Sequence, residues 1–173
     1  MASVFAMSET YGPSATKTVA DTTYLNMLSA NIASGADATT VPNANPIAIP
    51  GSSYAYSFER WCRGHWTDSF TSITSVNFWK QSGSLPGSVL IKALVKTPNP
   101  TTYVTAIDTA STFAGTDGNE ASSTNDIPTA TGTLQPAYAA AFSDYIIMQL
   151  VVPAGSASGS IGTMTYRFGW NEV

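Results

Sequence analysis

Apolar and polar residues alternate in many stretches of the chain, with the two-residue period of β-strands. The alternation is clearest near the end, where Met164, Tyr166, Phe168 and Trp170 interleave with Thr163, Thr165, Arg167 and Gly169. One face is aromatic and the other polar, as in a strand that covers a core on one side. Ser88 to Lys96 does the same, with Val89, Ile91, Ala93 and Val95 opposed by Leu90, Lys92, Leu94 and Lys96. Its second face mixes Leu with Lys, which predicts partial burial there. Tyr145 to Val152 is apolar on both faces and predicts a central strand covered on both sides.

Two segments break phase. Tyr54, Tyr56 and Phe58 are in register, Glu59 and Arg60 interrupt them, and the phase resumes with Cys62 and Trp66. A bulge near Glu59 or Arg60 accommodates that slip. Between Ile73 and Val76 the apolar phase also changes, so Phe70 to Lys80 reads as a bent or bulged strand. Weaker strand signals lie at Ala2 to Met7, Thr22 to Leu28, Asn45 to Ile49, Thr101 to Ile107 and Thr129 to Leu134. Gly, Pro, Ser and Asn mark loops at Ser34 to Pro46, Gln81 to Gly87, Pro98 to Pro100, Gly115 to Pro128 and Pro153 to Gly159. The Ala-rich stretch Gln135 to Phe142 predicts one short helix.

No repeat shows in the sequence and nothing divides it, so residues 1–173 read as a single domain. Eight to ten strands over this length predict an all-β fold, a two-sheet antiparallel sandwich of jelly-roll-like or immunoglobulin-like kind with long loops. The expected core contains Phe58, Val89, Ile91, Ile146, Met148, Leu150, Tyr166 and Phe168. The C-terminal strand runs almost to Val173, which predicts a terminus pinned into a sheet.

Composition adds an unusual surface. Charged residues make up 10% of the chain, against roughly 25% in an ordinary soluble domain. Thr and Ser number 23 and 21, so small hydroxyl side chains take the place of Lys and Glu. Such a surface loses little side-chain entropy when covered and suits an interface. The net charge is −4, with seven basic residues scattered from Lys17 to Arg167. Nucleic-acid binding requires clustered cations, and a membrane anchor a polybasic run; neither is present. Met1 to Tyr11 lacks the basic and apolar regions of a signal peptide, and Cys62 is the single cysteine, which predicts synthesis in a cytoplasm and no internal disulfide.

Candidate chemistry is sparse. Zinc requires about four ligands, whereas Cys62 and the single His65 supply two, on opposite faces of one strand. The nucleophile-elbow pattern is missing, because Gly155 to Gly159 places Ala157 at the serine position. His65 with Asp68 and any of the serines could be drawn as a triad, but nothing in their spacing selects one. A paired-carboxylate hydrolase, with Glu59 as one member, has no second acid that spacing assigns. Asp108, Asp117, Glu120 and Asp126, with Asn119 and Asn125, place oxygen ligands on one loop-rich stretch, which leaves calcium open although no known calcium-loop spacing is matched. No catalytic residue, cofactor or other metal is assigned. Trp66 and Trp170 share the phase of the core, whereas Trp61 and Trp79 are off it. Trp61 and Trp79, together with Phe5 near the N-terminus, are therefore the candidate anchors for contact with a partner. The segment carrying Phe5 suits either its own sheet or a neighbour's, its own being favoured.

The stretch YSFERWCRGHWTDSFTSITSVNFWKQSG (Tyr56 to Gly83), the later SDYIIMQLVVP (Ser143 to Pro153) and the ending MTYRFGWNEV (Met164 to Val173) resemble small β-rich structural proteins of tailed-bacteriophage virions. The resemblance implies a head decoration (cement) protein, or another head, neck or tail component. Its partners would be the major capsid protein or other virion subunits and further copies of itself, and it would carry no catalytic residues. A second class remains: a carbohydrate-binding or adhesin-like sandwich, which requires exposed coplanar aromatics over a groove.

Overall fold

The computed structural model describes residues 3–68, 70–94, 102–112, 115–117, 127–128, 140–159 and 162–173. Its strands are β1 (Val4–Tyr11), β2 (Thr18–Thr22), β3 (Tyr54–Tyr56), β4 (Arg60–Thr67), β5 (Ile73–Ser82), β6 (Leu90–Leu94), β7 (Gly115–Asp117), β8 (Ile127–Pro128), β9 (Ala140–Phe142), β10 (Ile146–Pro153) and β11 (Thr165–Glu172). One short helix, α1 (Thr40–Ala44), and a 3-10 turn at Ser14–Thr16 complete the regular elements among the described residues.

The larger antiparallel sheet runs β2-β1-β4-β10-β6-β7, with β3 also on β10 and β9 also on β4; the smaller runs β11-β5-β8. The apolar phases explain why the two pack face to face. Cys62, Ile91, Ala93, Ile146, Met148 and Leu150 from the large sheet meet Phe78, Tyr166 and Phe168 from the small one. At one end Trp66, Ile73 and Val76 continue this core under Phe5 and Trp170. The Trp66 ring lies across Gly64, where a Cβ would sit 2.3 Å from the ring, so only glycine leaves room for it.

β10 is buried on both faces from Ile146 to Val152, as its sequence requires. Its second face meets Trp61 and, from a coil, Tyr103 and Ala106. Of the expected core, Val89, Ile91, Ile146, Met148 and Leu150 are buried, Tyr166 and Phe168 pack against them half-buried, and Phe58 packs on the second cluster. Leu150→Ala and Phe168→Ala are each expected to lower stability by about 2–5 kcal/mol, through lost burial and the cavity left behind. Equilibrium urea unfolding reads this, and losses below about 1 kcal/mol would contradict the strand phases.

Both expected bulges are present. From Tyr56 to Arg60 the chain takes one more step than its partner from Val151 to Met148. Between Thr74 and Asn77 an extra residue faces Asn171 to Gly169, and Ser75 there has a φ of 53°. Val173 exchanges backbone hydrogen bonds with Ser72, and Glu172 accepts from Ser3, so the C-terminus is pinned. β1 pairs with β2 and β4 of its own sheet, as favoured for the Phe5 segment.

Some expectations are corrected. Ala140–Phe142 is a strand and not the end of a helix, because it pairs with His65 to Thr67 and that ladder outweighs alanine's helix preference; residues 135–139 lie outside the described residues. Helix α1 falls within the expected loop 34–46; Asp37 caps it by accepting from the N–H groups of Thr39 and Thr40, which holds its carboxyl down at about 2. Residues 24–28, 45–49 and 102–107 are coil, and β2 was not expected. The candidate strand at 129–134 lies outside the described residues.

Candidate functional site

Three groups of polar side chains stand out, and two of them are sealed. Glu9 on β1 and Arg60 on β4 form an ion pair at 2% and 1% exposure. Ser34, from the coil after β2, donates its N–H and hydroxyl to the Glu9 carboxylate at 3.0 and 2.8 Å. Arg60 Nη2 donates to the Ile32 carbonyl at 2.9 Å and to Ser34 Oγ at 2.7 Å. Desolvation lowers the Arg60 guanidinium to about 10. This cluster ties the coil to the sheet and presents no face to an outside molecule.

On the opposite face of the sheet, Glu59 accepts from Ser111 Oγ at 2.6 Å and from Trp61 Nε1 at 3.2 Å. Gln149 donates to the carbonyls of Ser57 and Thr109 and accepts from the Ser111 N–H. These bonds fasten the coil 103–112 over Trp61. Glu59 is 2% exposed, so it is held as a structural acceptor.

The third group is reachable from solvent. Arg63, Phe142, His65 and Asp21 form a column on the outer face of the large sheet. The Arg63 guanidinium stands 3.8 Å from the Phe142 ring centre and 4.6 Å from that of Tyr145. The His65 ring stacks on Phe142 at 4.2 Å and 9°, and its Nδ1 lies 3.0 Å from Asp21. β4 presents residues 63 and 65 on one face by its two-residue period, and β9 brings Phe142 opposite His65. Half-burial draws the Arg63 guanidinium below its usual pKa. Arg63 belongs to neither of the ion pairs formed among the described residues. A guanidinium fixed on an aromatic ring is suited to donate hydrogen bonds to an acceptor group of a partner. No spacing rule in the sequence picks out this column, because Phe142 comes from a stretch that reads as helix.

The candidate anchors fare differently. Trp61 is fully buried, so it is not an exposed anchor: the coil carrying Tyr103 covers the face on which it lies. Phe5 packs on Trp66, Phe168 and Trp170 at the edge of the core, with ring centres 5.3, 5.2 and 4.8 Å away. Trp79 is half-buried and its ring lies over Gly169, where a Cβ would come within 2.9 Å. Among the described residues the exposed aromatics are Tyr24 and Tyr54, and the Tyr54 ring tilts by 44° to that of half-buried Tyr56, so the two are not coplanar.

Cys62 and His65 point to opposite faces, as expected. The Cys62 thiol is fully buried, and burial pushes it up to about 12. The thiol's contribution to stability is therefore present below pH 9, the ordinary value, and lost as pH rises through about 12. Cys62 is expected to resist iodoacetamide at pH near 8 in the folded protein and to react on unfolding; mass spectrometry of treated samples checks this. Of the calcium candidates, Asp108 is exposed and Asp117 closes β7, while Glu120 and Asp126 lie outside the described residues. Among the described residues no three His, Cys, Asp or Glu gather as a metal group, and no helix is long and apolar enough to cross a membrane. Comparison with family models, with curated proteins and with solved structures finds no match to this chain.

Proposed function

We propose that this protein is a non-enzymatic structural component of a virus particle, a decoration or related head-associated protein that binds a symmetric shell and its own neighbouring copies. The observation that carries this is the destination of its polar groups. Of seven basic and eleven acidic residues, Arg60, Glu9 and Glu59 are buried within the fold, which leaves an outer surface poorer still in charge and rich in Ser and Thr. A surface of this kind gains by shape fit and backbone hydrogen bonds and loses little side-chain entropy on contact. Arg63 on its aromatic seat supplies the fixed donor that such interfaces concentrate at their centres. The tilt between Tyr54 and Tyr56 weighs against a flat sugar-stacking platform.

Co-sedimentation with shells that lack the protein tests the proposal. The protein is expected to pellet with the shells, and to stay bound when salt rises from about 0.1 to about 1 M, because few ion pairs are available to screen. Arg63→Ala is expected to weaken binding by roughly tenfold or more while leaving the fold intact. Protein that ignores the shells and binds a polysaccharide instead would overturn the proposal in favour of an adhesin.

A further inference from the structure

The two central strands of the large sheet are interrupted in the same way. β3 and β4 form one broken strand, β9 and β10 another, and each residue of the first has its counterpart 86 positions later, half the length of the chain: Tyr54–Tyr56 with Ala140–Phe142, and Arg60–Thr67 with Ile146–Pro153. The breaks carry identical hydrogen bonds. The Ser57 N–H donates to the Leu150 carbonyl at 3.0 Å, and the Leu150 N–H returns to Ser57 Oγ at 3.0 Å. The Ser143 N–H donates to the Gly64 carbonyl at 3.0 Å, and the Gly64 N–H returns to Ser143 Oγ at 2.9 Å. Each hydroxyl then donates to the next residue's carbonyl, Phe58 at 2.9 Å and Asp144 at 3.0 Å.

Exchanging counterparts maps one set of bonds onto the other. Arg60 opposite Met148 becomes Ile146 opposite Cys62, and Trp61 opposite Ile147 maps onto itself. The flanks share the strand order but not the spacing: Met7 faces Gly64, whereas Ala93, 86 positions after Met7, faces Met148. β1 lies outside β4 and β6 outside β10, then β2 and β7 beyond them, so the order β2-β1-β4-β10-β6-β7 reads alike from both ends. β5 follows β4, β11 follows β10, and these two pair antiparallel in the second sheet with Phe78 opposite Phe168. Unrelated halves have no physical reason to share strand order, the spacing of the central broken strands and the serine-filled bulge together.

We infer that the chain is two tandem copies of one five-strand unit, joined through residues 83–89 and closed on each other about a pseudo-twofold axis at Trp61 and Ile147. The surface formed by β4 with β5, and its counterpart on β10 with β11, is therefore an interface built for a second copy of the same unit. The common sequence has shrunk to Ala-aromatic-Ser, Ala55-Tyr56-Ser57 and Ala141-Phe142-Ser143. The counterparts Gly64 and Leu150 have diverged, since Gly64 makes room for Trp66. β8 on β5 has no counterpart among the described residues.

The duplication makes the connection from β5 to β6 equivalent to the gap between the chain's own ends, and those ends adjoin: the Ser3 N–H and hydroxyl donate to the Glu172 carboxylate at 2.7 and 2.8 Å. A circular permutant of the full sequence, opened between Pro86 and Gly87 with the old termini joined by a short Gly-Ser linker, is expected to keep the parent's circular dichroism spectrum and nearly its urea midpoint. A control opened between Gly155 and Ser156 divides the second unit and is expected to lose much more. Failure of the first permutant to fold, or equal stability of the two, would overturn the inference. In the full-length protein, Ser57→Ala and Ser143→Ala are each expected to speed amide exchange by about tenfold, the first at Leu150 and the second at Gly64. A response at one site without the other would equally count against it.

Discussion

Replacing Glu9 with alanine is expected to remove about 3–5 kcal/mol of folding stability, a large share of the roughly 5–15 kcal/mol that holds a domain of this kind together. The substitution strands the Arg60 guanidinium at 1% exposure, where its Nε and Nη1 already lack hydrogen-bond partners. Ser34 loses both of its bonds to the carboxylate at the same time. An uncompensated buried charge costs far more than a neutral pair gains, so Glu9→Ala with Arg60→Met is expected to recover part of the loss. Urea unfolding of the two variants beside the parent reads both values. A single-variant loss below about 1 kcal/mol would mean that the pair is not buried.

Trp61→Ala is expected to cost a similar amount, about 3–5 kcal/mol, from a large cavity between the sheet and its covering coil. The ring meets Tyr103 and Tyr145 edge-on at 5.2 and 5.4 Å, and its Nε1 donates to Glu59. The loss should appear in the isolated protein by urea denaturation, with no partner present. Unchanged stability together with lost shell binding would restore Trp61 to the outer surface and contradict the fold of the coil 103–112.

What the sequence shows well is whatever follows the two-residue period. β10, β11, the slip before Arg60 and the phase change at Ser75 were legible, because each is written in the placement of apolar side chains. The burial of Trp61 is not legible in the sequence. The residue is off the phase of Cys62 and Trp66, and that phase marks the face toward the second sheet. Its own face is covered by a coil that has no periodicity, so nothing local to Trp61 reveals its burial. β2 was missed because Thr18 to Thr22 is an edge strand with four exposed positions and no apolar face. Phe142 was hidden within an alanine-rich stretch whose strand character comes from pairing with β4. The half-chain symmetry was invisible in the sequence, because it survives in strand order and in two serine hydroxyls. The Arg63 column, too, depends on a contact between residues far apart in the chain.

We propose that the protein works as one of many copies on a symmetric shell. Electron-microscopic images of the proposed parent virus's particles, averaged with and without the protein, test this most directly. Added density of about one small domain is expected, repeated on the outer surface with the symmetry of the shell. Particles of identical appearance, with the protein left free in solution, would contradict it.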